Sequence, residues 1–224
     1  MAHAVLGEVS ASTYNTTQDK TIPITVAVPA GSILVAISMG YGSDGTIDLS
    51  SISDSKSHTW DTVKRSAATP SRFAMMSWTR ITNPLTTSDT VTIDMTGTFT
   101  RSWAILRAYA GLGDQEMDTD SAVGTNSPAA TPALTHSGDG RAIAAVFWPS
   151  EDLALDYWEN SFVRSSYLND AGNVDAFVVG ERVVTGAGTV TPSHNPPGVT
   201  SLWVMVGITL PDAPTRRPSP AMAG

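Results

Sequence analysis

The chain contains no cysteine, which excludes disulfides, thiolate metal sites and cysteine nucleophiles but leaves the compartment open. Lysine is scarce as well, with Lys20, Lys56 and Lys64 set against ten arginines. The nearest thing to a basic run is Arg216-Arg217, and the formal net charge is -8 with a pI near 4.8. That balance argues against a nucleic-acid partner, whose phosphates favour clustered cations. No apolar run approaches the roughly 20 residues of a membrane helix, so no membrane insertion is expected. The opening Met1-Ala-His-Ala-Val-Leu-Gly7 lacks a basic segment and a long apolar segment, so synthesis in the cytoplasm without an export signal is the expectation. No amphipathic helix of ordinary length can be traced either.

What the chain does have is strand and turn in alternation. Ile22, Ile24, Val26 and Val28 alternate with Thr21, Pro23, Thr25 and Ala27, the period of a half-buried strand, and Pro23 removes a ladder donor, which suits an edge. Pro29-Ala-Gly31 turns the chain into Ile33 to Met39, apolar on both faces, as a strand inside a sandwich should be. In Thr90 to Met95, Val91, Ile93 and Met95 are expected inward. Further strands are predicted over 72–81, 101–109, 141–148, 162–168, 174–184 and 202–210.

One part recurs. Gly31-Ser-Ile-Leu-Val-Ala-Ile37 returns as Gly140-Arg-Ala-Ile-Ala-Ala-Val146, and each copy leads on to a Trp-bearing strand, around Trp103 and around Trp203. A polar, acidic crossing from Gly111 to Pro132 joins the copies. Because neither half alone supplies enough strands for two sheets, the expectation is one large antiparallel β-sandwich over residues 1–210. Residues 211–224 are proline-rich and are expected to form an extended arm lying on a partner surface, with Pro211, Pro214, Arg216, Arg217, Pro218 and Pro220 as its contact residues.

Candidate chemistry is thin. His3, His58, His136 and His194 have no metal-ligand spacing, so no metal and no cofactor are assigned. Asp114-Gln-Glu-Met-Asp-Thr-Asp120 alternates carboxylates but lacks the glycine and closing glutamate of a calcium loop, and reads as a solvated acidic crossing. Glu151, Asp152, Asp156 and Glu159 could supply a glycosidase pair, although adjacent residues on a strand face opposite ways. Trp148, Tyr157 and Trp158 could form a platform on which a cell-surface glycan stacks; the alternative is that Trp148 ends one core strand and Trp158 begins another, both packed inward. Gly40-Tyr-Gly-Ser-Asp-Gly45 lacks the lysine and helix of a phosphate loop, and no Gly-x-Ser-x-Gly elbow exists. No catalytic residue is assigned.

The stretches 29–37, Ser53-Asp-Ser-Lys-Ser-His-Thr-Trp60, 73–81, Ala108-Tyr-Ala-Gly-Leu112 and Asp118 to Gly124 together resemble a family of Gly/Thr-rich, jelly-roll-like β-sandwich domains. Such domains occur in bacterial surface proteins and in virion proteins of tailed phages, actinobacteriophages in particular. The resemblance spans about 21–210, with Ser57 and His58 standing where the family's turn commonly has Gly and Asn. It implies a non-enzymatic role on the exterior of a phage particle, as a capsid decoration protein or a minor tail protein. The implied partners are the major capsid or tail protein and further copies of this chain, and the alternative is a carbohydrate-binding module for adsorption to a bacterial surface. The arginine-over-lysine bias resembles a high-GC source.

Overall fold

The computed structural model describes residues 4–12, 20–42, 47–68, 71–97, 99–125, 127–148, 157–170 and 173–213. The first half gives β1 (Ala4–Ser12), β2 (Lys20–Pro23), β3 (Ile33–Gly42), β4 (Asp48–Asp54), β5 (Asp61–Ala68), β6 (Ser71–Arg80), β7 (Thr90–Thr96) and β8 (Phe99–Ala110). The second gives β9 (Asp118–Thr125), β10 (Ala129–Ala130), β11 (Leu134–His136), β12 (Gly140–Trp148), β13 (Val163–Asp170), β14 (Asn173–Val184), β15 (Gly188–Val190), β16 (Ser193–His194) and β17 (Leu202–Pro211). The chain is all-β and antiparallel, with no helix among the described residues.

The pseudo-repeat is realised as two five-stranded sheets of matching order. One runs β1-β8-β3-β6-β5; the other runs β9-β17-β12-β14-β13 when counted from the edge that opens the second half. The glycine-led strand of each copy, β3 or β12, occupies the centre, and its Trp-bearing partner, β8 or β17, lies beside it. A three-stranded sheet, β2-β7-β4, accompanies the first large sheet, and the short pairs β10-β16 and β11-β15 accompany the second.

Period-2 alternation sorts the apolar residues into layers. From the first large sheet Ile33, Val35, Ile37, Met76, Trp103 and Ile105 point one way, and they meet Ile143, Ala145, Phe147, Val179, Val204 and Val206 of the second in a central core. Their neighbours Leu34, Ala36, Phe73, Met75, Ala104 and Leu106 point the other way and pack on Ile22, Val91, Ile93 and Met95 of the three-stranded sheet. On the far side, Val146, Trp148, Val178, Trp203 and Met205 pack with Ala129 and Val199, while Ala142, Ala144 and Val184 pack with Leu134 and Val190. The strands that read as apolar on both faces are therefore those with a core on each side. Four strand layers result, where the strand count of each half had suggested two.

The alternation also corrects the alignment of the repeat. Counting from Gly31 and Gly140 pairs Val35 with Ala144, yet Val35 faces the central core and Ala144 an outer one. A shift of one residue inverts every side chain on a strand. The same offset separates the tryptophans: Trp103 lies in the central core, Trp203 in an outer one. The two glycines serve different ends as well. Gly31 has φ +86 at the turn into its strand, whereas Gly140 lies within β12, where an added Cβ would sit 2.1 Å from the Leu210 carbonyl oxygen.

β2 is an edge strand, as Pro23 implies, and it ends there. The expected alternation continues through Ile24 and Val28, both buried, but Val26 is exposed because the chain has left the ladder. The other end of β2 holds Lys20, 2 % exposed, whose Nζ donates to the Ser102 carbonyl at 3.0 Å. Burial lowers its pKa to about 8 from 10.5. Between those values the unfolded chain holds the proton that the folded chain releases, so stability from this group rises with pH across that window and is lost as pH falls through 8. Lys20→Met is expected to stabilise the fold by about 1–2 kcal/mol at pH 7. Urea denaturation at pH 7 and at pH 10 checks this, because the advantage should shrink at the higher pH.

Candidate functional site

A charged residue in the inward phase of a core strand must be compensated or excluded. Three break the apolar series at one edge of the central core. Arg107 follows Trp103 and Ile105 on β8, Glu181 follows Phe177 and Val179 on β14, and Arg141 precedes Ile143 on β12. The side chains of Arg107 and Glu181 are 7 % and 5 % exposed, and Arg107 Nε lies 2.8 Å from Glu181 Oε1. Arg141 contacts the second oxygen, Oε2. The Tyr109 hydroxyl donates to Oε1 at 2.6 Å. Burial and the neighbouring Glu181 carboxylate push the Tyr109 phenol well above its ordinary value, so it stays a donor. For Glu181, burial alone would raise the pKa, but Arg107, the Tyr109 hydrogen bond and Arg141 together hold it below the ordinary carboxylate value.

Arg107 is gripped from the other side by β13, donating to the Ser165 carbonyl at 2.9 Å and to Ser166 Oγ at 2.6 Å, and Ser166 Oγ in turn donates to Glu8 Oε2 of β1 at 2.6 Å. An irregularity in the ladder between Arg164 and Ser166 makes these contacts possible by inserting one extra residue, Ser165, into β13. The cluster thus links β1 and β8 of one large sheet to β12, β13 and β14 of the other. It backs a cleft of about 590 Å³ lined by Arg107, Arg141, Arg164, Arg182, Glu181 and the exposed Val163 and Val183, with Ser161 and Ser165. Reading the sequence for motifs misses this site. The signal that finds it is phase: Arg107, Arg141 and Glu181 each stand where the alternation calls for an apolar side chain.

The turn Asp54 to Trp60 is organised by one carboxylate. Asp54 accepts from the Lys56 backbone N–H at 2.8 Å and from Trp60 Nε1 at 2.9 Å, and it lies 2.9 Å from His58 Nδ1. The Asn83 backbone N–H donates to His58 Nε2 at 3.2 Å. Because Nε2 accepts, the ring proton is on Nδ1 and points at Asp54. An aspartate–histidine pair is present, but its outward nitrogen is already engaged, so it serves as a clasp. Ser57 in this turn has φ 59, a conformation that glycine adopts without strain.

The remaining candidates are placed as follows. Trp148 is fully buried, and its Nε1 donates to His194 Nδ1 at 3.0 Å; it is a core residue and offers no face to a sugar. Trp158 stacks on Phe162 with centroids 5.6 Å apart and lies over Gly180, where an added Cβ would meet its ring at 2.4 Å. Tyr157 is half-buried, edge-on to His194. The three rings do not share an open face. Glu159 accepts from Asn195 Nδ2 at 2.8 Å and Ser193 Oγ at 2.7 Å, and these two bonds hold its carboxyl below the ordinary range. Glu151, Asp152 and Asp156 lie outside the described residues, as do His3, Pro214, Arg216, Arg217, Pro218 and Pro220, while Pro211 closes β17.

In the acidic crossing, Asp114 pairs with Arg80 at 2.8 Å, Asp118 accepts from the backbone N–H groups of Thr119 and Thr135, and Asp120 from that of Ser121. Those carboxylates secure β9 and its surroundings instead of converging on a common point, and no group of three or more metal-ligating side chains occurs among the described residues. No protein-family model matches the chain, and no curated protein or solved structure matches it either.

Proposed function

We propose that this chain is a non-enzymatic structural protein of a phage virion, seated on the head exterior as a decoration protein, with a place in the tail as the alternative. The observation that carries this reading is how the chemistry-bearing side chains are used. Asp54, His58, Glu159, Arg107 and Glu181 each hold neighbouring strands or turns together, and the apolar residues are consumed by cores on both faces of both large sheets. What such a body offers its surroundings is surface.

The strand order supports the finer architecture in this proposal. In the first half β1 neighbours β8, β8 neighbours β3 and β3 neighbours β6 in one sheet, while β2 neighbours β7 and β7 neighbours β4 in the other. That order resembles a jelly roll, a double-sheet arrangement recurrent in capsid and lectin domains, except that β5 pairs with β6 in the first sheet instead of extending the second. The second half repeats it as β9-β17-β12-β14 with β11-β15 and β10-β16. In this reading the two halves are jelly-roll-like units joined back to back, and the segment proposed to reach a neighbouring subunit is 214–224, outside the described residues. The expected arm does not begin at Pro211, because Pro211 belongs to β17 and Asp212 and Ala213 are hydrogen-bonded to Asp139 and Gly111. Shell reinforcement then arises from many weak contacts multiplied by symmetry.

Particles assembled without this chain provide the test. Purified protein added to them is expected to co-sediment at a ratio fixed by particle symmetry, and removal of residues 214–224 is expected to weaken that binding at least tenfold. Full-length protein that fails to bind heads and tails alike, in the presence of its cognate particle proteins, would remove the proposal.

A further inference from the structure

We infer that a second copy of this chain adds to the outer edge of β9, strand to antiparallel strand, about a two-fold axis at Val123. A sheet edge presents a row of backbone donors and acceptors that will pair with another strand unless something prevents it. Of the six edges of the three larger sheets, five carry such a guard. The ladder is irregular at two places in β1, at two in β13 and at one in β4. β2 is four residues long and ends at Pro23, and β5 contains Lys64 and Arg65. β9 has neither bulge nor proline, and its eight residues pair with β17 in one unbroken register.

The charge of β9 is confined to one half of the strand. Asp118 and Asp120 accept from the backbone N–H groups of Thr119 and Ser121 at 2.9 and 2.6 Å, while the stretch from Ser121 to Thr125 carries no charge. Among the described residues, the backbone from Ala122 to Thr125 hydrogen-bonds to β17 alone. An antiparallel partner centred on Val123 places Ser121 opposite Thr125 and Ala122 opposite Gly124 in both directions, so the contact is self-complementary, as a two-fold interface requires. Asp120 of each copy then falls beyond Thr125 of the other, and no acid faces an acid. Copies of a chain with net charge -8 repel one another wherever acidic surfaces meet, and the uncharged half-strand lets them approach at little electrostatic cost. Five residue pairs form about four to six hydrogen bonds, each of small net value in water. The contact is therefore weak in dilute solution and strengthens with local concentration. It belongs to the chain itself and forms without a particle, so its failure would be separate from failure of the virion reading.

Because the chain has no cysteine, single cysteines placed in the intact protein report this contact without background. Val123→Cys, treated with a short bis-maleimide, is expected to form covalent dimers at least tenfold faster than Thr87→Cys, which lies in an exposed turn before β7. Thr119→Cys should lag it as well, since in this register Thr119 stands roughly 27 Å from its counterpart, beyond the reach of the linker. Charge gives a second readout. Val123→Asp and Val123→Lys, each alone, oppose like charges across the axis and should weaken self-association at least tenfold in sedimentation equilibrium. An equal mixture of the two should restore it through an Asp–Lys pair, a result that misfolded variants could not give. Equal cross-linking rates at the three cysteine positions, faster reaction at Thr119 than at Val123, or no recovery in the mixture would overturn the assignment. Wild-type protein that stays monomeric at every concentration would leave the edge to a different chain and overturn it too.

Discussion

Glu181→Gln is expected to destabilise the protein by about 3–5 kcal/mol at neutral pH, the usual cost of removing one partner from a buried charge cluster. The glutamine occupies the same space and retains one acceptor, so packing changes little. What changes is that Arg107 and Arg141, whose side chains are 7 % and 12 % exposed, lose the carboxylate that offsets their desolvation.

The pH dependence has a definite sign. Arg107, Tyr109 and Arg141 hold the Glu181 carboxyl below its ordinary 4.5, so its contribution is complete above that value and disappears as pH falls through the lower, folded-state pKa. Wild type and variant should therefore differ most at pH 7 and converge in strong acid. Replacing the whole cluster, by Arg107→Met, Arg141→Met and Glu181→Leu together, should cost far less than the single change, because no unpaired charge is left behind. Urea denaturation at pH 7, 5 and 3 measures all of this. A single variant as stable as wild type at pH 7 would mean that the cluster is solvated and that the two large sheets do not close over it.

Trp103→Ala should cost a comparable 3–5 kcal/mol, the range for truncating a large buried aromatic side chain. Trp103 is fully buried in the central core, and its ring lies 5.1 Å from that of Phe147 across the gap between the large sheets. The loss falls on the contact that joins the two halves of the chain. A double-mutant cycle with Phe147→Ala should return a coupling of about 0.5–1.5 kcal/mol between residues 44 positions apart in sequence. A coupling of zero would place the two rings in separate cores. Trp103→Phe should be milder, since Trp103 Nε1 makes no hydrogen bond among the described residues and the change removes only part of the packing.

Much of the fold is legible in the chain itself, for a local reason. Strand residues alternate sides, and a strand that is apolar on both sides, such as Ile33 to Met39, must be covered twice. The edge position of β2 follows from Pro23, which cannot donate to a ladder, and the inward set Val91, Ile93 and Met95 follows from the period of two. Layer number was less accessible. Counting strands per half suggested that neither half could cover two sheets, yet the short pairs β10-β16 and β11-β15, only two and three residues long, are enough to cap the second outer core. Segments that short carry almost no periodic signal.

The candidate site was hidden for a related cause. Arg107, Arg141 and Glu181 are separated by up to 74 positions and share no motif; each is visible only as a break in its own strand's alternation. Trp148, Tyr157 and Trp158, which cluster in sequence, are spread by the fold between a closed core and a half-covered rim.

Composition and alternation by themselves determined that this protein is built of antiparallel strands with apolar faces to bury, and that cysteine chemistry is closed to it. Only tertiary structure decided which face of each strand meets which neighbour, because a shift of one residue between Gly31 and Gly140 inverts the pattern, and side-chain phase is fixed when sheets dock. The arginine cleft exists for the same reason: charges far apart along the chain become one site only after two sheets have closed on each other.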